Sequence, residues 1–263
     1  MKIIWKIFII IILMIFFNQS SVDAQSSKGK VELIKVHPVN DRYFTQGFEV
    51  GKGDDLYLAT GLYGESKLGV FDFETGLLDT KLNLEKSYFG EGITITDDAI
   101  WQLTWKENTL FKWNINTYEL EETFDYPGEG WGLAYDSDQE VFWMSDGSSK
   151  LFKHDVETFD RIQEVEVMDQ EKAIDQLNEL EYVAGLIYAN IWYNNEIVSI
   201  DPLSGKVIDT YNFSPVIESL NLTEEQRKEM DSLNGIAHIE GNRFYITGKK
   251  FPFILEVKLS NDE

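Results

Sequence analysis

Five residues that recur at one position of a repeated phrase are the best candidates for chemistry in this chain. The phrase reads Gln46-Gly47-Phe48, Glu91-Gly92-Ile93, Trp131-Gly132-Leu133, Asn178-Glu179-Leu180 and Asn234-Gly235-Ile236, with glycine in the middle of four of the five copies. The residue before that position differs almost every time. Packing alone would tend to repeat one residue type. One carboxylate, Glu91, among amides and an aromatic is what an asymmetric small-molecule site needs, and a carboxylate in that company can act as general acid and base.

A second repeated phrase shows which elements must hold these residues. Lys67-Leu68-Gly69-Val70-Phe71-Asp72 returns as Thr109 to Asn114, Lys150 to Asp155 and Glu196 to Asp201, with a weaker copy at Phe253 to Lys258. Positions 72, 114, 155 and 201 are 42, 41 and 46 residues apart. A period in the low forties carried by strand-like segments is the signature of propeller blades. Each repeat also holds a β-branched and aromatic stretch, such as Leu56 to Thr60 or Val141 to Ser145. Asp72 to Gly76 and Asp201 to Gly205 are turn chemistry, and Asn114 to Tyr118 and Asp155 to Phe159 take the same place without the glycine. The expected fold is all-β, a five-bladed β-propeller. Its crowded innermost strands favour glycine, and the residue before each glycine points toward one mouth of the central channel.

The fourth and fifth repeats are further apart than the others, with the excess at Pro215 to Leu233. Thr223-Glu224-Glu225-Gln226 reads as a helix start with an N-cap and an acidic first turn. A short helical insertion before the last blade is expected there. A smaller insertion, Asp169 to Gln176, reads as a solvated acidic loop.

Composition narrows the classes. Residues 1–24 combine a basic start at Lys2 and Lys6, an apolar run from Ile7 to Phe17 and small residues at Val22 and Ala24. That is the pattern of a secretory signal peptide, so 25–263 is expected to be the folded domain of an exported, periplasmic or extracellular protein. An uncleaved anchor is the alternative. Cysteine is absent, which removes disulfides, thiolate catalysis and cysteine metal sites. The three histidines are scattered, and no spacing resembles a zinc site. No cofactor and no catalytic metal are expected, while the acidic loops leave a structural calcium open. A net charge of −23 argues against nucleic acid and anionic lipid as partners. No stable membrane association is expected once the leader is gone, and a monomer is the expected state.

Ten short motifs in order extend this reading. They include Phe44-Thr45-Gln46-Gly47, Thr60-Gly61-Leu62-Tyr63-Gly64, Phe89-Gly90-Glu91-Gly92-Ile93, Leu103-Thr104-Trp105, Gly130-Trp131-Gly132-Leu133, Leu177-Asn178-Glu179, Ala189-Asn190-Ile191-Trp192 and Thr247-Gly248-Lys249. With them the chain resembles the glutaminyl-peptide cyclotransferases of plants and bacteria, a five-bladed propeller family, over roughly Phe44 to Leu259. The resemblance implies conversion of an N-terminal glutamine, on a peptide or protein, to pyroglutamate with release of ammonia. It implies Glu91 as the catalytic acid/base, and Phe44, Gln46, Phe89, Trp105, Trp131, Asn178, Trp192 and Lys249 as substrate-binding residues. Phe251, Gly69 and Ala59 depart from that family's pattern, which bears on substrate preference.

That reaction is intramolecular. Three tryptophans would hold the glutamine folded and raise the pKa of Glu91 by desolvation. Gly90 and Gly92 would leave room for substrate. Asn178 and Gln46 would bond the scissile amide and the oxyanion, and Lys249 would pair with Glu91 or Glu179 or stabilise the oxyanion. Two other classes stay open on fold alone. One is a non-catalytic exported propeller that binds a small ligand or peptide N-terminus in its channel. The other is a calcium-dependent lactonase, which a ring with one carboxylate disfavours.

Overall fold

The computed structural model describes Ser27–Asn261. The proposed signal peptide lies outside the described residues, and no described helix is long and apolar enough to cross a membrane. The described chain is all-β: 22 strands, one 3-10 turn and two short helices.

Three four-stranded antiparallel sheets follow one another along the chain. A strand β1 (Ser27–Pro38) precedes them. The first sheet is β2 (Thr45–Val50), β3 (Leu56–Thr60), β4 (Lys67–Asp72) and β5 (Leu77–Asn83). The second is β6 (Gly90–Ile95), β7 (Ala99–Thr104), β8 (Thr109–Asn114) and β9 (Leu120–Asp125). The third is β10 (Leu133–Asp136), β11 (Val141–Ser145), β12 (Lys150–Asp155) and β13 (Arg161–Glu166). A ten-stranded sheet holds the rest. It contains the short β14 (Met168–Asp169) and β15 (Lys172–Ala173), then β16 (Leu177–Val183), β17 (Leu186–Ile191), β18 (Glu196–Asp201) and β19 (Lys206–Asn212). After the helices come β20 (Leu233–Glu240), β21 (Arg243–Gly248) and β22 (Phe253–Asn261). Its main path runs β16-β17-β18-β19-β1-β22-β21-β20. The join is β1, which pairs antiparallel with β22 and, through Ser27 to Gly29, parallel with β19.

The inner strands close on themselves: β2 contacts β6, β6 contacts β10, β10 contacts β16, β16 contacts β20 and β20 contacts β2. Glycine is what permits this. A Cβ on Gly92 would lie 2.7 Å from the Trp131 carbonyl oxygen, and one on Gly132 would lie 2.0 Å from that of Asn178. Gly90 and Gly92 are therefore filled against protein. The expectation that they leave room for substrate is not what the packing shows.

Between sheets, apolar side chains of successive units interlock. Trp101, Phe142, Met144 and Phe159 form one such layer, and Trp143, Leu180, Ile187 and Val198 another. Burying each large side chain of this kind contributes about 1.5–3 kcal/mol. The turns that end β4, β8, β12 and β18 share one chemistry. Asp72, Asn114, Asp155 and Asp201 each accept backbone N–H bonds from residues two or three further on. Gly76 and Gly205 then supply φ of +68° and +72°, whereas Tyr118 and Phe159 adopt +58° and +57° without being glycine. Phe159 is held there by stacking on His154, whose Nδ1 bonds the Phe159 carbonyl.

The segment between β19 and β20 carries α1 (Ser214–Ser219) and α2 (Glu224–Glu229). Thr223 caps α2, and Gln226 returns a bond to the Thr223 backbone, completing a capping box. Val216, Ile217, Leu220, Leu222 and Met230 pack on the core of the last sheet. The Asp169 to Gln176 stretch differs from the expected loop: β14 and β15 make a small hairpin there, and β14 also pairs with β19.

Candidate active site

The site lies at the ends of the inner strands where the chain enters them. There Gln46 (β2), Glu91 (β6), Trp131 (just before β10) and Asn178 (β16) converge on a cavity of about 240 Å³. Phe44, Phe89, Trp105, Trp192 and Lys249 complete the lining, so all nine residues expected from the sequence meet in one place. Leu62, with φ of +82°, joins them. A larger open hollow of about 790 Å³ includes Glu49, Lys52 and Trp101 and lies at the other ends of β2 and β6. It contains none of the nine.

The loops between units hold the walls by backbone hydrogen bonds. Trp105 N–H donates to the Phe89 carbonyl, Gly130 N–H to that of Trp105, and Trp192 N–H to that of Gln176. Lys249 pairs as an isolated bridge with Phe44, and the next residue, Lys250, donates to the Tyr43 carbonyl. The aromatic rings then contact in series. Phe44 and Phe89 meet edge-on at 6.2 Å, Phe89 and Trp105 at 5.4 Å, and Trp131 and Trp192 edge-on at 5.1 Å.

Glu91 is 4% exposed at the base of these walls. Burial pushes its carboxyl well above the usual carboxylate range. Lys249 opposes that rise, and the charges of Glu129 and Glu107 add to it. Gln46 Nε2 donates to Glu91 Oε1 at 3.0 Å, while Gln46 Oε1 accepts from Asn234 Nδ2 at 3.2 Å. Asn234 also donates to the Thr45 carbonyl. Asn234, fifth member of the recurrent set, thus stands behind the cavity and fixes the Gln46 amide, which in turn fixes Glu91.

Lys249 is buried, with its pKa lowered by that burial, and the nearby Glu91 and Asp231 charges counter the fall. Its Nζ sits 5.2 Å from the Phe44 ring centre and 5.4 Å from that of Trp192, a cation–π arrangement on both sides. Among the described residues it makes no ion pair within 4.0 Å. The expected alternative partner, Glu179, is engaged elsewhere. It fills the channel position where the other copies have glycine, and its Oε2 accepts the Ile236 N–H at 2.8 Å. Two polar atoms of cavity-lining residues, Asn178 Oδ1 and Trp192 Nε1, have no hydrogen-bond partner among the described residues. Among the described residues no group of three or more His, Asp or Glu side chains is placed to share a metal ion.

Residues that the repeats did not reveal also support the walls. Glu129 Oε2 accepts from the indole N–H of both Trp105 and Trp131. Glu107 accepts from the Tyr63 hydroxyl and the Phe89 N–H. No local motif marks either glutamate: Trp105, Tyr63 and Phe89 reach them from other loops, and only Trp131 is a near neighbour of Glu129 in the chain. The three departures from the family pattern lie off the cavity lining. A Cβ on Gly69 would lie 2.3 Å from the Asp79 carbonyl oxygen. Ala59 is buried in the core, and Phe251 packs against Phe253.

The chain is similar in sequence and fold to known proteins. The glutamine cyclotransferase family model matches residues 7–259. A glutaminyl-peptide cyclotransferase of Arabidopsis thaliana is 31% identical over 242 residues, 91% of this chain and 74% of that protein. The crystal structure of Myxococcus xanthus glutaminyl cyclase superposes with a TM-score of 0.78 at 30% identity, over 91% of this chain and 100% of that one. An aldose sugar dehydrogenase of Streptomyces coelicolor, at 12% identity and a TM-score of 0.51 over 90% of this chain and 100% of that one, shares the fold alone. The chain belongs to the glutamine cyclotransferase family.

Proposed function

We propose that this protein is a glutaminyl-peptide cyclotransferase, closing an N-terminal glutamine of a peptide or protein to pyroglutamate and releasing ammonia. Family membership and the activity named for the Arabidopsis relative support the reaction. The observation that carries the chemistry is a buried carboxyl of raised pKa, Glu91, at the base of an aromatic cavity beside a buried lysine.

The α-amine attacks the γ-carbonyl carbon, the bond from that carbon to the amide nitrogen breaks, and ammonia departs. The bonds made and broken lie within the substrate, so the reaction requires no cofactor. What it requires is a proton moved from the attacking nitrogen to the leaving one, and a folded side chain. Glu91 is our candidate for the proton transfer. With the cavity empty its carboxyl favours the neutral form, and an ammonium arriving beside it favours the carboxylate. It can then take the proton and return it to the leaving nitrogen. Gln46 holds one Glu91 oxygen and leaves the other for this exchange. Phe44, Phe89, Trp105, Trp131 and Trp192 would hold the glutamine in the curled geometry that ring closure needs. Lys249 and Asn178 would bond the developing oxyanion or the scissile amide. The unpaired atoms of Asn178 and Trp192 favour a polar ligand on that wall.

The same reading treats the ten-stranded sheet as two four-stranded blades joined through β1, which makes five blades, with α1 and α2 as an insertion before the last. The closed cycle of inner-strand contacts supports it. Ammonia release from a short peptide with N-terminal glutamine, with and without EDTA, tests the function. Metal-independent release is the expected result; no release across several second residues would contradict it.

A further inference from the structure

We propose that Glu129 is a positioning residue of this site: from outside the cavity it closes the aromatic wall by holding the indole N–H groups of Trp105 and Trp131. This rests on the cyclotransferase reading above.

The wall can be followed from residue to residue. Trp192 touches Trp131 on one side and faces the Lys249 ammonium on the other. Lys249 faces Phe44, Phe44 meets Phe89, and Phe89 meets Trp105. Among the described residues, the rings of Trp105 and Trp131 do not stack on each other, and Glu129 stands between them. One of its oxygens, Oε2, accepts from Trp105 Nε1 at 2.8 Å and from Trp131 Nε1 at 3.1 Å. The other, Oε1, lies 3.5 Å from Lys106 Nζ, and that ammonium sits 3.8 Å from the centre of the Trp105 ring. Trp105 is therefore gripped at its N–H by an anion and over its face by the cation paired with that anion.

The Glu129 backbone is itself fixed. Gly130 donates to the Trp105 carbonyl, and a Cβ at Gly130 would collide with the Tyr126 hydroxyl at 2.3 Å, so the chain passes tightly beneath the clamp. Partial burial works against the charged form of Glu129. The two indole bonds and Lys106 outweigh it, and its pKa is lowered. The anionic form of Glu129 is thus favoured where burial favours the neutral form of Glu91, and the charge of Glu129 is one of the causes that raise Glu91. Two carboxyl groups with opposite shifts divide the work: one orients, the other exchanges protons.

The test compares Glu129→Ala and Glu129→Gln with wild type in steady-state kinetics and pH profiles on a glutaminyl peptide. Alanine removes both acceptors and lets two walls turn, so kcat/KM falls about tenfold or more, with KM rising. Glutamine keeps one acceptor oxygen and recovers most of the KM. It loses the charge, so the limb of the profile that belongs to Glu91 moves to lower pH. Tryptophan emission changes in the alanine variant. Wild-type KM in Glu129→Ala, or a Glu129→Gln enzyme with the limb unmoved, would overturn the proposal. Absence of turnover in the wild-type protein would instead overturn the cyclotransferase reading itself.

Discussion

Gln46 Nε2 stands 3.0 Å from Glu91 Oε1. The two residues belong to inner strands of different sheets, 45 positions apart in the chain. The bond is backed by Asn234, whose amide nitrogen donates to Gln46 Oε1 from a third inner strand. One carboxyl oxygen is thereby assigned to the protein, and its orientation is set by three strands that meet at the channel. A buried acid held this way has one oxygen left to exchange a proton with substrate.

Removing that support has a defined cost. Gln46→Ala leaves Glu91 Oε1 without its donor and Asn234 with one partner fewer. We expect kcat to fall by about 10–100-fold through loss of alignment, with a smaller change in KM. Stability should drop by about 1–3 kcal/mol, the cost of an unpaired buried polar group. Steady-state kinetics and denaturant unfolding check both, and an unchanged kcat would contradict the role.

The pH profile should carry the signature of Glu91. Its base form accumulates only as pH rises through its raised pKa, so the acid limb of kcat/KM should lie above the ordinary carboxylate range. Lys249 lowers that pKa. Lys249→Met should therefore move the limb to higher pH as well as reduce turnover. A limb that stays in place, or moves down, would exclude this charge effect of Lys249 on Glu91.

Farther down the channel, Glu49, Glu179 and Glu181 make stability depend on pH. Burial raises all three, with Glu49 pushed up to about 8, and the charges of neighbouring carboxylates add to the rise of Glu179 and Glu181. Below the ordinary carboxylate value both folded and unfolded chains hold these protons. Above it the unfolded chain loses them first, so stability falls as pH climbs toward the raised folded values. Glu181 accepts the His238 N–H, which glutamine could do as well. Glu181→Gln should raise Tm more at pH 8 than at pH 5. Equal shifts at the two pH values would show that the carboxyl is not under this strain.

Much of this architecture is legible in the sequence because the repeats are literal. The quoted phrases at 67–72, 109–114, 150–155 and 196–201 coincide with β4, β8, β12 and β18, and Leu56–Thr60 and Val141–Ser145 coincide with β3 and β11. The outer strands β5, β9 and β13 are not legible in this way. They are exposed along most of their length and carry polar residues on both faces, which erases the alternation that marks a half-buried strand. The pairing of β1 with two partners depends on contacts more than 180 residues away. At the site, the recurrent position before glycine singles out Gln46, Glu91, Trp131 and Asn178, and family motifs add the other five. Glu129 escapes both, since its two indoles come from separate loops, and neither the repeat nor a motif marks it.

The most direct test of the central claim is Glu91→Gln, measured for ammonia release and for binding of a glutaminyl peptide. Glutamine fits the same space and can still accept from Gln46, but it cannot take or return a proton. The account predicts turnover lost by at least about 100-fold with peptide affinity retained. Turnover near wild type in a correctly folded Glu91→Gln protein would contradict it.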